Sequence, residues 1–443
     1  MPSPSRRAEA DRYYLLHRAI QVLGAGLLAL LATLKLTPVE AGLFFTLGAV
    51  LGAQVLLDAG SSTLIITGLG RAMRHARWDA GRLLGPPVTL RRVGWLSRYA
   101  IGWGVASALV ALLVLMPAAL WLLGKRPEID ALPNWQALSL ATMVGLALSQ
   151  LGSAVPIALE GTGQVARVAR LRAAQDAVAY AAACAAAMAG HGLASLAVLW
   201  GLRGLIGVAW SIGAATPLLA AGRSRAWRRH LRSLAPTQWR LAGSWAAGYL
   251  SQQTMVPVAY ALLGPAAAAR LGLAFFCTSG LLMVATAWAA ARMPEFARLG
   301  AARLWSMFDV RLARVLQAST ASAFGGGLLL LAGLLAVQGM TIATRLPQLL
   351  ALTLLVAAAT ASAAIHALAT ALRACGGEPF LVPTLVGGLL MLPALSVGAW
   401  LGGESGLCAA YFALNAVLGV PWAWWLLARQ RADRTGQAWG GST

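Results

Sequence analysis

Residues 99–123 read YAIGWGVASALVALLVLMPAALWLL, a run without a single charge. As an α-helix it would extend about 37 Å at 1.5 Å per residue, enough to cross a hydrocarbon core of about 30 Å. No water is available there to satisfy peptide groups, so a chain crossing it as one apolar run must be helical. The flanks support a membrane span. Seven arginines lie between residues 69 and 98, and Lys125 and Arg126 follow on the far side.

Working outward, runs of this kind recur along the whole chain. They predict about twelve membrane helices, near 14–36, 41–68, 99–123, 135–159, 173–190, 193–221, 241–263, 270–291, 315–338, 348–372, 380–402 and 407–428. The composition agrees: 59% of the 443 residues are hydrophobic and only 11% are charged, against about 25% charged in a soluble domain. The fold class predicted is therefore an all-α polytopic membrane protein.

The net charge of +21 comes from 33 Arg and 2 Lys, gathered between the apolar runs and not on one globular face. With the N-terminus inside, 29 of these 35 basic residues fall in the inside segments. The others are Lys35, Lys125, Arg126, Arg203, Arg270 and Arg345. That asymmetry orients the chain with both ends in the cytoplasm, and it speaks against nucleic acid as a partner. Trp78, Trp95, Trp227, Trp239 and Trp305 beside the inside arginines suit interfacial anchoring. The inside loops are expected to be irregular, with room for a helix lying on the membrane surface. Short outside connections leave no room for a catalytic domain there. No small-residue cleavage site follows Arg6 and Arg7, so the first apolar run is expected to be retained. Cys184, Cys277, Cys375 and Cys408 lack CxxC spacing, which predicts neither disulfides nor a metal site.

The chain reads as a doubled unit. After Pro38 comes Gly42-Leu-Phe-Phe-Thr-Leu-Gly48; after Pro265 comes Gly272-Leu-Ala-Phe-Phe-Cys-Thr-Ser-Gly280. Two sets of six helices, both starting inside, make a parallel repeat about an axis along the membrane normal. The domains expected are an N-terminal lobe at 1–221, a basic cytoplasmic linker at 222–240, a C-terminal lobe at 241–428 and a tail at 429–443.

Several of these segments resemble a family. Leu36-Thr-Pro-Val-Glu-Ala-Gly-Leu-Phe-Phe-Thr followed by Asp58-Ala-Gly60 resembles the polysaccharide-exporter, O-antigen flippase-like branch of the multidrug/oligosaccharidyl-lipid/polysaccharide (MOP) exporter superfamily. Ser244-Trp-Ala-Ala-Gly-Tyr249, Pro257, Gly264-Pro265 and the stretch from Trp288 to Pro294 are similar to the start of that branch's second half. The resemblance implies two six-helix lobes facing a central cavity, in the bacterial inner membrane. It further implies that a polyprenyl-pyrophosphate-linked oligosaccharide is flipped outward as one lobe rocks against the other. Membrane lipids and other polysaccharide-assembly proteins are the partners it suggests.

Ionisable groups within membrane helices are costly and so mark function. A diphosphate crossing a low-dielectric core needs fixed positive charge, which Arg presents as a planar fork. Arg18 lies about 7 Å into the first helix, as a cavity residue or one that snorkels to the interface; His17 is expected at the interface. Asp58, about 15 Å deep in the second helix, is either an ion-pair partner of Arg18 or a protonatable switch. Arg203 is near the midplane if its helix begins at Leu193, and interfacial if it begins near residue 200. Lys35 and Arg270, at outer helix ends, either receive the diphosphate or anchor the interface. Gln252 and Gln253, with Pro257 four residues on, form a sugar-facing or hinge element, or polar contacts between helices. His366 is expected to be a packed histidine.

Neither GxxxxGKS nor HExxH occurs, so no cofactor is expected and the energy must come from an ion gradient or substrate flux. Two other functions remain open. A drug or cation antiporter would want cavity carboxylates, of which only Asp58 lies deep, with Asp176 near an inner helix end. A membrane glycan-processing enzyme would need paired acids or a large outside loop, whereas Asp79, Glu295 and Asp309 are scattered.

Overall fold

The computed structural model describes residues 4–79, 81–222, 227–336, 344–375 and 378–439, with side-chain detail for all of these except 4–11, 227–237, 240–241 and 434–439. The sequence readings at Arg6, Arg7, Trp227 and most of the basic 222–240 segment thus lie outside the described side chains.

The chain is almost wholly helical. In the N-terminal half the helices are α1 (Pro4–Lys35), α2 (Pro38–Leu51), α3 (Gln54–Asp58), α4 (Ser61–Ala72), α5 (Pro87–Val110), α6 (Met116–Leu123), α7 (Trp135–Gly161), α8 (Val165–Met188), α9 (Ala194–Ala214) and α10 (Thr216–Ala220). There follow α11 (Trp227–Gln253), α12 (Met255–Leu263), α13 (Pro265–Ala301), α14 (Trp305–Ala336), α15 (Leu349–Ala374), α16 (Leu381–Ala413) and α17 (Val420–Trp439). Among the described residues, nine helical stretches are long and apolar enough to cross a membrane. One of them, Leu381–Asp433, breaks at Gly402–Gly403 into two. The Arg-bearing α8 and the α11–α12 pair supply the remaining two of twelve spans.

By its internal contacts the chain falls into two compact units, Met1–Ala246 and Ala247–Thr443. The packing inside each follows one scheme. In the first, α7, the fourth span, packs on α4 and α5 of the second and third spans, while α1 packs on α8. In the second, α15, the tenth span, packs on α13 and α14, and α12 packs on α16. Spans six positions apart therefore do the same job within their own unit, as a six-plus-six repeat requires.

Small residues set these approaches, because lipid supplies no hydrophobic force between helices and backbones must come close. A Cβ on Gly145 of α7 would stand 2.6 Å from the backbone nitrogen of Gly201 on α9. At Gly152 the carbonyl also accepts from Ser211 Oγ at 3.0 Å. At the outer turn after α1, the TPVE of the second-span motif is a capping box. Thr37 Oγ1 accepts from the Glu40 amide at 3.3 Å, and the Glu40 carboxylate accepts from the Thr37 amide at 2.8 Å.

Two expectations for the inside segments are corrected. Helices run on past the apolar core: α5 begins at Pro87, not near residue 99, and only residues 302–304 separate α13 from α14. Arginine is a good helix former, so continuing the helix satisfies peptide groups at no penalty. And instead of a surface helix, the first inside loop holds a β-hairpin, β1 (Arg77–Asp79) with β2 (Arg82–Leu84).

Candidate functional site

Three spans of the first unit bring a charged cluster together inside the protein. α9 begins at Ala194, which puts Arg203 nine residues, or about 14 Å, along it. α8 begins at Val165 and runs the other way, so Asp176, eleven residues along, reaches a matching depth. Arg203 Nε donates to Asp176 Oδ1 at 2.7 Å, with the two side chains only 14% and 7% exposed. His17 Nε2 of α1 stands 3.0 Å from Asp176 Oδ2. The guanidinium lies 4.9 Å from the Tyr180 ring centre and 5.5 Å from that of Trp200. Gln175 donates its side-chain amide to the Arg203 carbonyl. One donor, Arg203 Nη2, is buried with no hydrogen-bond partner among the described residues.

This arrangement decides one open sequence reading and alters two expectations. Arg203 sits well inside its helix. Asp176 is not at a helix end, because α8 starts eight residues earlier than its apolar part suggests. His17 faces α8 and not the interface, and its neighbour Arg18, about 100° around the helix, is the exposed one. Arg18 donates to Tyr14 Oη at 3.2 Å and to Gln21 Oε1 at 3.3 Å, both on its own helix.

Arg18 and Asp58 do not form the pair considered from the sequence. The second span breaks at Ala59 and Gly60, both left-handed with φ of 45° and 72°. Asp58 caps the restart: its carboxylate accepts from the Ser62 amide at 3.2 Å, Ser62 Oγ at 2.8 Å and Ser61 Oγ at 3.1 Å. The break frees the Leu57 carbonyl, which accepts from Trp103 Nε1 and Ser107 Oγ, each at 2.9 Å. Asp58, Trp103, Ser107 and Gln150 line a cavity of about 40 Å³, room for two or three waters at roughly 15 Å³ each.

In the second unit, Arg270 of α13 binds Glu404 through both Nε and Nη2. Glu404 follows the non-helical Gly402 and Gly403 (φ of 57° at Gly403). In the sequence it falls between the apolar runs 380–402 and 407–428. Gln252 and Gln253 are half-buried at the end of α11, where Thr254 interrupts the helix before α12. Pro257 has no amide to offer the Gln253 carbonyl, and Thr254 Oγ1 bonds back to Leu250. Lys35, in the last turn of α1, is exposed. His366 Nδ1 lies 2.8 Å from the Ser362 carbonyl, and Ser362 Oγ donates to Asn415 Oδ1 at 2.9 Å.

The missed partners, Asp176 and Glu404, share a signal. Each is a carboxylate facing an arginine of opposite sign at complementary depth on another span of its own unit.

The architecture is that of a membrane-transporter fold. A multidrug resistance MATE family transporter of the MOP superfamily, inward-facing, matches with a TM-score of 0.61 over 95% of this chain and 98% of that one, at 14% identity. The lipid II flippase MurJ, inward closed, matches at 0.62 over 94% and 87%, with 9% identity. A MATE transporter of Vibrio cholerae matches at 0.56 over 98% and 99%, with 17% identity. At the level of sequence, no family model and no curated protein matches. Identities this low establish a shared fold and leave cargo to the residues of this chain.

Proposed function

We propose that this chain is a secondary transporter that flips a polyprenyl-pyrophosphate-linked oligosaccharide from the inner to the outer leaflet of the bacterial inner membrane, for cell-surface polysaccharide assembly. The observation that carries the reading is the Arg203 guanidinium, a cation held inside a membrane span with one donor, Nη2, that meets no hydrogen-bond partner among the described residues. Once helix motion uncovers Nη2, a phosphate oxygen would join there before the bond from Nε to Asp176 is given up. The diphosphate would then take over as counter-ion, with no stage at which the guanidinium stands uncompensated. Arg18 and Arg270 would meet the diphosphate toward the inner and outer ends of its path, and Lys35 at the outer interface. Gln252 and Gln253 suit sugar hydroxyls, beside a seventh span that Pro257 allows to bend, and Asp58 would hold the broken second span in shape. That MurJ, a lipid II flippase, has the same fold supports a lipid-linked cargo.

A second reading, a multidrug or cation antiporter, is favoured by Asp176, a buried carboxylate that a cation would seek; the MATE transporters share the fold. A glycan-processing enzyme draws no support from these neighbours. Deleting the gene and labelling lipid-linked sugars with an impermeant reagent separates the readings. Cytoplasmic-face accumulation, unrescued by Arg203→Ala protein that reaches the membrane, is expected. Unchanged lipid-linked sugars with lost efflux of a cationic compound would replace the flippase by the antiporter.

A further inference from the structure

The inside loop between the second and third spans carries a built surface that the transport reading does not use. In its hairpin, Trp78 pairs with Leu83, Arg77 with Leu84 and Asp79 with Arg82. Alternation along a strand sends these to opposite faces. Trp78 and Leu83 turn inward: Trp78 Nε1 donates to the Thr162 carbonyl at 3.0 Å, and Leu83 joins the buried cluster with Ile65, Leu69 and Val93. The base is closed tightly, since a Cβ at Gly85 would stand 2.8 Å from the His75 carbonyl oxygen. The hairpin is thus seated on the helix ends.

The outward face is basic with an apolar edge. Arg71, Arg74, Arg77, Arg82, Arg91 and Arg92 are all exposed. The only acidic residue between 71 and 98 is Asp79, opposite Arg82 in the ladder. Leu84, opposite Arg77 in the ladder, and Val88 are 43% and 73% exposed. Exposed apolar side chains ringed by cations on the positive side of a membrane protein match the boundary between headgroup and acyl chain.

We infer that this hairpin and its arginines form a docking platform for anionic phospholipid of the inner leaflet, with phosphates on Arg74, Arg77 and Arg82 and with Leu84 and Val88 at the acyl boundary. Charge complementarity selects the occupant: the platform is almost purely cationic, and each juxtamembrane arginine adds attraction to an anionic surface. Trp78 and Leu83 seat the strands that carry these charges, so less conformational freedom remains to be lost on binding.

The test is native mass spectrometry of the full chain released from nanodiscs of equal parts phosphatidylglycerol and phosphatidylcholine. The unaltered protein is expected to retain phosphatidylglycerol preferentially. Changing Arg74, Arg77 and Arg82 to Gln should cut that preference about tenfold or more. The same three changed to Lys should keep it, as should Gln at Arg298, Arg314 and Arg429, which removes equal charge elsewhere. Equal thermal unfolding temperatures would show that the hairpin stays seated. Retention by the Gln variant, equal loss in the control, or loss in the Lys variant would each overturn the platform. So would a polyprenyl phosphate displacing phosphatidylglycerol from it, since that would assign the surface to substrate.

Discussion

Asp176 and Arg203 meet at 2.7 Å between two antiparallel membrane spans, where neither charge is affordable alone. Removing Asp176 leaves Arg203 buried and uncompensated, at a cost of about 3 kcal/mol or more, and removing Arg203 leaves Asp176 with His17 alone, whereas replacing both by apolar groups is often near neutral. Arg203→Leu and Asp176→Leu should each lower the thermal unfolding temperature, and the double variant should recover most of the loss while remaining unable to transport. A double variant no more stable than the singles would show the pair to be energetically uncoupled.

Close approach of α7 and α9 depends on Gly145. Gly145→Val puts side-chain atoms where the Gly201 backbone lies, and overpacking of this kind costs about 1–3 kcal/mol. Folded yield from the membrane should fall. At Gly26, where a Cβ meets nothing within 4 Å, Ala should be tolerated. Equal yields from the two variants would contradict this packing.

Asp58 acts as a cap in the structure, and a neutral acceptor can cap as well. Asp58→Asn should match the parent protein in stability, while Asp58→Ala should lose about 1 kcal/mol, read as a lower unfolding temperature in detergent. A fully stable Asn variant that cannot transport would give the carboxylate charge a role beyond the cap.

Arg270 and Glu404 tie α13 to the start of the last span. The arginine is about one-third exposed, so solvent screens the pair, and a double-mutant cycle with Ala should return a coupling of about 1 kcal/mol. The charge-reversed double variant should be more stable than either single reversal. Strict additivity in both experiments would remove the pair as a constraint on the Gly402–Gly403 break.

Some of this protein was legible from residues alone because lipid imposes a local rule. A run such as 99–123 must be helical whatever its neighbours do, and the arginines choose their side without reference to packing. Outside the apolar core that rule lapses. The basic segments can be helix, hairpin or coil, so residues alone specify them least: the Arg-rich start of α8 and the hairpin at Arg77–Leu84 carry no apolar periodicity.

The apolar helical spans were thus determined by the sequence itself, since each depends on hydropathy taken one segment at a time. The partners of the charges were decided only by the tertiary structure. Adjacent on one helix, His17 turns to Asp176 while Arg18 turns out to Tyr14 and Gln21. Asp58 serves its own backbone, while Asp176, eleven residues along its helix, receives Arg203 from the next span. Which face of a membrane helix looks inward is settled by the helices packed against it, because lipid and protein interior are equally apolar.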